Sequence, residues 1–164
     1  EEGLSLIQQL AEHGHPDGMC AYATCLNDGR AGLEINPKAA TSWWQNACDN
    51  HEHIQSFYEM GVAFYTGEGV PEDEALAVEY FRHAADCGHA GAAYTILGDC
   101  VLDGIGVERD RGEALEWLVV SAELGHRGRA RSRVLAVLEL ERGKKSYGKF
   151  TDASRQTLVE NEED

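Results

Sequence analysis

Hydrophobic positions in the middle of the chain recur with the spacing of an amphipathic helix. Phe57, Met60, Gly61 and Phe64 fall at positions i, i+3, i+4 and i+7, which places them on one face of a helix. The same stripe returns 37 residues further along the chain. Its members there are Tyr94, Leu97, Gly98 and Val101. Each stripe predicts one helix, which we call helix A of its repeat unit.

A second helix, helix B, is predicted to follow each helix A after a glycine-rich break. Glycine adopts the positive φ values that end a helix, as at Gly67 and Gly69. Helix B then begins at Asn36, Asp73 or Asp110, whose side chains are good N-caps. Small residues on both helices predict a tight antiparallel hairpin with a short loop. They are Gly61, Gly98, Ala84, Ala85 and Ala122.

These hairpins form an internal repeat that ends in half units. Residues 3–13 match helix B alone, and residues 128–140 match helix A alone. Because the match begins with a half unit, we expect the parent chain to extend upstream. The complete units are predicted at 17–51, 54–88 and 91–125. The prediction is therefore a repeat domain over residues 1–140 followed by a charged, extended C-terminal tail over 141–164.

In the second unit, the string from Met60 to Val70 is followed by Asp73, Ala77, Tyr80, Ala84, Ala85 and Gly88. This pattern resembles a Sel1-like repeat, a relative of the tetratricopeptide repeat. The resemblance covers about residues 3–140 and implies an all-α fold, a right-handed α-solenoid of about three 37-residue helix-turn-helix repeats. It also implies an adaptor or assembly scaffold rather than an enzyme. A unit that touches only its neighbours presents a continuous surface and no enclosed pocket.

By analogy with tetratricopeptide packing, a second stripe on helix A is expected to form a concave partner-binding face. Its residues also follow a helical line, and several are apolar for a solvated face. The alternative is that these side chains pack against adjacent repeats. The predicted concave-face residues are Gln55, Tyr58, Val62, Tyr65, Thr95, Asp99 and Leu102.

Charge is distributed unevenly along the chain. The protein has 29 acidic and 14 basic residues and a net charge of -15, which argues against binding to nucleic acid. Residues 127–149 instead carry eight basic and two acidic residues, a pattern typical of a docking end. The alternative is a solvated last helix whose cations complement its dipole. The predicted partner-binding residues of this basic end are Arg129, Arg131, Arg133, Lys144 and Lys145.

No catalytic, cofactor or metal site is predicted. The pairs His13/His15 and His51/His53 could converge on a metal if successive turns stack, but capping of the turns explains the histidines more simply. Five cysteines without a CxxC pair indicate free thiols in a reducing intracellular compartment, either the cytosol or an organelle matrix or stroma. No apolar run approaches the roughly 20 residues of a membrane span, so direct membrane insertion is not expected.

These features predict a non-enzymatic protein–protein interaction scaffold. Such a protein would be an adaptor, an assembly factor or an accessory subunit of a multi-subunit complex, with organellar and membrane-bound complexes among the candidates. The expected partners are proteins, and no cofactor is expected. The alternative is a regulatory or binding domain of a longer catalytic protein, which the half unit at residues 3–13 allows.

Overall fold

A computed structural model describes residues 2–87, 90–124 and 127–144. Within these ranges the chain forms α-helices and one short 3-10 turn at Arg30–Gly32, with no strand. The α-helices are α1 (Glu2–Glu12), α2 (Pro16–Asp28), α3 (Pro37–His51), α4 (Ile54–Thr66), α5 (Glu74–Asp86), α6 (Ala90–Asp103), α7 (Arg111–Glu123) and α8 (Arg127–Lys144). The prediction of an all-α helical-repeat fold is confirmed.

The helices fall into two compact units, residues 1–89 and residues 90–164. In the first unit each helix packs on the next, from α1 to α5. In the second unit α6 packs on α7, α7 packs on α8, and α8 also touches α6. The pairs α2/α3, α4/α5 and α6/α7 are the A–B hairpins, α1 is a lone helix B, and α8 is a lone helix A. No helix in the described ranges is both long enough and apolar enough to cross a membrane.

Helix B of each complete hairpin (α3, α5 and α7) begins directly after the predicted capping residue. The side-chain carboxylate of Asp73 accepts a hydrogen bond of 3.0 Å from the backbone N–H of Leu76. Asn36 caps α3 in the same way, and Asp110 caps α7 by accepting from two backbone N–H groups. Pro37 occupies the first turn of α3, where its missing N–H is not needed. Local sequence alone therefore starts these helices.

Glycines end helix A and allow helix B to approach it. Gly67 caps α4 with a φ of 73°, in the left-handed region that disfavours residues with a Cβ. At Gly61 a Cβ would lie 2.7 Å from the ring of Phe81, and at Gly98 a Cβ would lie 2.5 Å from the Cγ of Leu118. The predicted close hairpins are therefore confirmed. Gly88 and Gly125, the glycines that follow α5 and α7 in the sequence, lie outside the described residues.

The core of each unit lies between its helices and is built largely from small side chains. In the first unit one cluster places Trp44 and Met60 among alanines and cysteines, with partly buried aromatic rings packed around them, and Phe81 on α5 is completely buried. In the second unit α8 contributes buried residues to the same cluster as α7. The residues of that cluster are Leu115, Leu118, Ala122, Ala130, Val134 and Val137.

The last described helix is longer than the spacing predicts. α8 runs to Lys144 rather than ending at residue 140. Glu141 stands where Gly104 ends α6, so no residue with left-handed backbone interrupts the helix there. The rest of the predicted tail, residues 145–164, lies outside the described residues.

Candidate partner-binding site

The part of the predicted concave face in the first unit lies on α4. Gln55, Tyr58 and Val62 are half-buried, whereas Tyr65 is 40% exposed. The ring of Tyr58 lies 5.9 Å from the ring of Phe81 on α5, so Tyr58 also helps to hold the α4/α5 hairpin. We call Gln55, Tyr58, Glu59, Val62 and Tyr65 the α4 face.

The corresponding line on α6 is not an open surface. Thr95 is 5% exposed, and its hydroxyl lies 2.6 Å from the hydroxyl of Ser121 on α7. Asp99 is 8% exposed and faces α8. Leu102 packs against the core of the second unit. The expectation that Thr95 and Asp99 line an open groove is wrong, because Thr95 is buried against α7 and Asp99 against α8. Leu102 is half-buried, and its role in partner binding stays a prediction.

Two arginines of the predicted basic end on α8 pair with acidic residues of α6 in the second unit. Arg129 donates to Asp99 at 2.8 Å, and Arg133 donates to Asp99 and to Asp103, each at 2.6 Å. These hydrogen bonds, chiefly the one to Asp99, raise the pKa of Arg133. The two arginines therefore join α8 to α6, and we call this group of four side chains the α6–α8 ion pairs. Arg131 is half-buried.

The remaining two residues of the basic end are not described. The side chain of Lys144 and the whole of Lys145 lie outside the described residues. Their role in partner binding stays a prediction.

Glu59 also belongs to the α4 face, although it is not among the predicted concave-face residues. Its carboxylate accepts a hydrogen bond of 2.7 Å from the side-chain amide of Gln55. Burial raises the pKa of Glu59, and the negative charge of Asp28 on α2 raises it further. No ion pair joins Glu59 to another described residue. The sequence spacing does place Glu59 on this face, because Glu59 follows Gln55 by four residues along the helix.

A chain of hydrogen bonds links Ser56, His53 and Asp17. The Nδ1 atom of His53 accepts from the hydroxyl and from the backbone N–H of Ser56, at 2.9 and 3.3 Å. The Nε2 atom of His53 lies 3.1 Å from Asp17 on α2, so it carries the proton and donates. These three residue types occur in hydrolytic triads, but Ser56 is completely buried and no substrate reaches its hydroxyl. The arrangement caps the N-terminus of α4.

The other histidines and the cysteines form no metal-binding cluster among the described residues. No group of three or more metal-ligating side chains occurs there, and His13 bonds to the backbone oxygen of Gln9 at 2.7 Å. All five cysteines are free thiols. Burial raises the pKa of Cys20, and burial raises the pKa of Cys48 to about 12, which suppresses the nucleophilic thiolate.

Comparison with known families identifies the repeat. The family model described as Sel1 repeat matches residues 16–51, 57–89 and 91–126, which is more than half of the chain. These matches coincide closely with the three hairpins of the structure.

One curated relative is chitin synthase regulatory factor 2 of the fission yeast Schizosaccharomyces pombe. It is 31% identical over 81 residues, which is 49% of this chain and 16% of that protein. The chain thus spans only about a sixth of the length of this relative.

Three solved structures share the fold. The Sel1 repeat protein of Oxalobacter formigenes is 25% identical with a TM-score of 0.67, over 73% of this chain and 47% of that chain. The c5321 protective antigen of uropathogenic Escherichia coli strains is 28% identical with a TM-score of 0.73, over 78% and 27% of the two chains. Cysteine rich protein B of Helicobacter pylori is 18% identical with a TM-score of 0.58, over 74% and 90%, and shows the fold alone.

Proposed function

Because the chain belongs to the Sel1 repeat family, whose members mediate protein–protein interactions and are generally not enzymes, we propose that it is a non-enzymatic adaptor or accessory subunit of a larger protein assembly. Its partners are proteins, and its surfaces position them relative to one another. Its free thiols are consistent with a reducing intracellular compartment.

The α4 face is the single observation that carries this proposal. Tyr65 presents an aromatic ring to solvent at the end of α4, and Val62 lies one turn before it. Tyrosine side chains are frequent anchors of protein interfaces because they bury a large area at a low entropic cost. The face lies on a helix that is fixed by a packed hairpin, so it is organised before a partner binds.

The second candidate function is a regulatory or binding domain of a longer catalytic protein. The observation in its favour is the small share of the fission yeast relative that the chain spans, 16%. That relative is named a regulatory factor of chitin synthase, which fits either an adaptor or a regulatory domain.

The α4 face can be tested by quantitative affinity purification of the full chain from its source cells. Tyr65→Ala should lower the amount of each specifically bound protein about thirtyfold if Tyr65 is an interface anchor of about 2 kcal/mol. Ile35→Ala is the matched control, since Ile35 is another exposed apolar residue but lies in the loop before α3.

The melting temperature of both variants should match that of the unchanged protein, because both side chains are exposed. Equal partner recovery in the two variants would contradict the assignment of the α4 face. The double variant Tyr58→Ala/Tyr65→Ala is less informative, because Tyr58 also contacts Phe81 inside the hairpin.

A further inference from the structure

The first compact unit carries most of the negative charge of the protein. Residues 1–89 contain fifteen acidic and three basic residues, which is -12 of the total of -15. An acidic surface attracts and orients cationic partners over distances of about 8 Å at physiological ionic strength. The charge of this unit therefore favours a basic partner over a neutral or acidic one.

On the α4 face, Glu59 is the acidic residue at which we expect a basic partner to bind. Its half-buried carboxylate receives one hydrogen bond from the neutral amide of Gln55 and no ion pair from another described residue. The neighbouring Asp28 already pairs with Arg30 at 2.6 Å. A partly desolvated carboxylate gains most from a charged hydrogen bond to an arginine or lysine, and no described residue of this chain supplies that cation.

An apolar surface lies at a fixed distance from this carboxylate. Val62 and Tyr65 follow Glu59 by three and six residues along α4. Six residues of an α-helix rise about 9 Å. Three residues of a ligand in the extended polyproline II conformation span about the same distance and return the side chain to the same side. Such a ligand therefore reaches both Glu59 and Tyr65 with side chains three residues apart.

We propose that the α4 face binds a basic, extended segment of a partner protein, with an arginine or lysine at Glu59 and an apolar or aromatic side chain three residues away on Tyr65. This inference rests on the proposed scaffold function and adds the chemistry of the partner. Arg129 and Arg133 of this chain are not the source of the cation, because both are held in the α6–α8 ion pairs.

A peptide with the proposed spacing tests the face directly. The probe is fluorescein-labelled (Arg-Ser-Gly-Tyr)3, and its matched control is (Glu-Ser-Gly-Tyr)3, with binding to the full chain measured by fluorescence anisotropy at 50 and 200 mM NaCl. The arginine peptide should bind more weakly at the higher salt concentration, and the glutamate peptide should not bind. Glu59→Gln and Tyr65→Ala should each weaken binding about tenfold.

A matched charge control separates the site from the general acidity of the unit. Glu79→Gln removes one exposed carboxylate from α5 and should change the peptide affinity less than twofold. If Glu79→Gln weakens binding as much as Glu59→Gln, peptide binding depends only on the net charge of the unit, and the inference is overturned. Thermal melting confirms that each variant is folded before its affinity is interpreted.

A photo-crosslinking amino acid at position 65 of the full chain identifies the natural occupant. The crosslinked segment should contain arginine or lysine about three residues from an apolar side chain. A neutral or acidic segment, or a second copy of this chain, would overturn the inference and leave the scaffold function standing. If the arginine peptide binds as expected and no protein crosslinks at position 65, the scaffold proposal fails instead.

Discussion

At the residue scale, Asp99 is the acidic residue that stabilises the packing of α8 on α6 in the second unit. Its buried carboxylate accepts hydrogen bonds from Arg129 and Arg133 and so connects α6 to α8. Charged hydrogen bonds to a buried group stabilise more than exposed ion pairs do, since solvent screens them less. Asp99 therefore contributes more to the docking of α8 than the exposed Asp103 does.

We predict that Asp99→Asn lowers the free energy of unfolding of the second unit by about 2 kcal/mol, because both arginines lose their charged acceptor. Asp103→Asn removes a single bond between more exposed groups and should cost less than about 1 kcal/mol. Urea unfolding followed by circular dichroism measures both values. Equal effects of the two substitutions would show that the burial of Asp99 does not increase its contribution to the free energy of unfolding.

A second residue-scale prediction concerns the pH dependence introduced by Cys48. Burial, with smaller contributions from Asp49 and Cys20, raises its pKa to about 12, above the ordinary value near 8.5. The folded state therefore favours the neutral thiol. The stabilisation is complete below the unfolded pKa and is lost as the pH rises through about 9 towards 12.

Cys48→Ala should accordingly reduce the loss of stability between pH 8 and pH 10.5 in urea unfolding. Alkylation of the native protein at pH 8 should modify the exposed Cys87 quickly, whereas Cys20, Cys48 and Cys100 should react only after denaturation. Mass spectrometry should then count five alkylated thiols. Rapid native labelling of Cys48 would contradict its burial.

At the scale of the helices, the A–B hairpins depend on glycine at the crossing point. A side chain at Gly61 or Gly98 would overlap Phe81 or Leu118 on the facing helix. Gly61→Leu should therefore push α5 away from α4 and cost about 3 kcal/mol, as expected for an overpacked core, with loss of the cooperative thermal transition. Gly98→Leu should act in the same way on α6 and α7.

Gly3→Leu is the control for this prediction. Gly3 is also helical, but nothing lies within 4 Å of a Cβ built there, so the substitution should be neutral or slightly stabilising. Differential scanning calorimetry measures all three variants. If Gly61→Leu and Gly98→Leu melt like Gly3→Leu, the assigned hairpin packing is wrong.

At the scale of the whole molecule, net charge sets the response to salt. The total of -15 is carried mainly by residues 1–89, so like charges repel one another on the first unit. Raising NaCl from 20 to 200 mM screens this repulsion. The melting transition of the first unit should therefore rise by about 2–4 °C, which corresponds to roughly 0.5 kcal/mol for a unit of this size.

The second unit should behave differently, because its α6–α8 ion pairs lose attraction when salt is added. Calorimetric scans of the full chain at the two salt concentrations, with Asp99→Asn as a comparison, distinguish the two responses. A melting transition of the first unit that falls with added salt would show that its stability does not depend on charge repulsion.

The hairpins and their caps could be predicted from the sequence because their causes are local. The helical stripe through Phe57 and Met60, the N-cap at Asp73 and the left-handed Gly67 each act within a few residues of the chain. Repetition of the pattern after 37 residues then identifies the fold class, since similar local sequences form similar hairpins.

Only the tertiary structure shows which of the predicted surfaces remain exposed to solvent. Thr95 and Tyr58 occupy equivalent places in the repeat pattern, offset by 37 residues, yet Thr95 is buried and its hydroxyl contacts Ser121 on α7, whereas Tyr58 is half-buried. Likewise, the basic pattern at Arg129 indicates a cation but not its acceptor, and Asp99 is 30 residues away in sequence. Burial and ion pairing depend on the helix that packs opposite each residue, and spacing along the chain does not specify that helix.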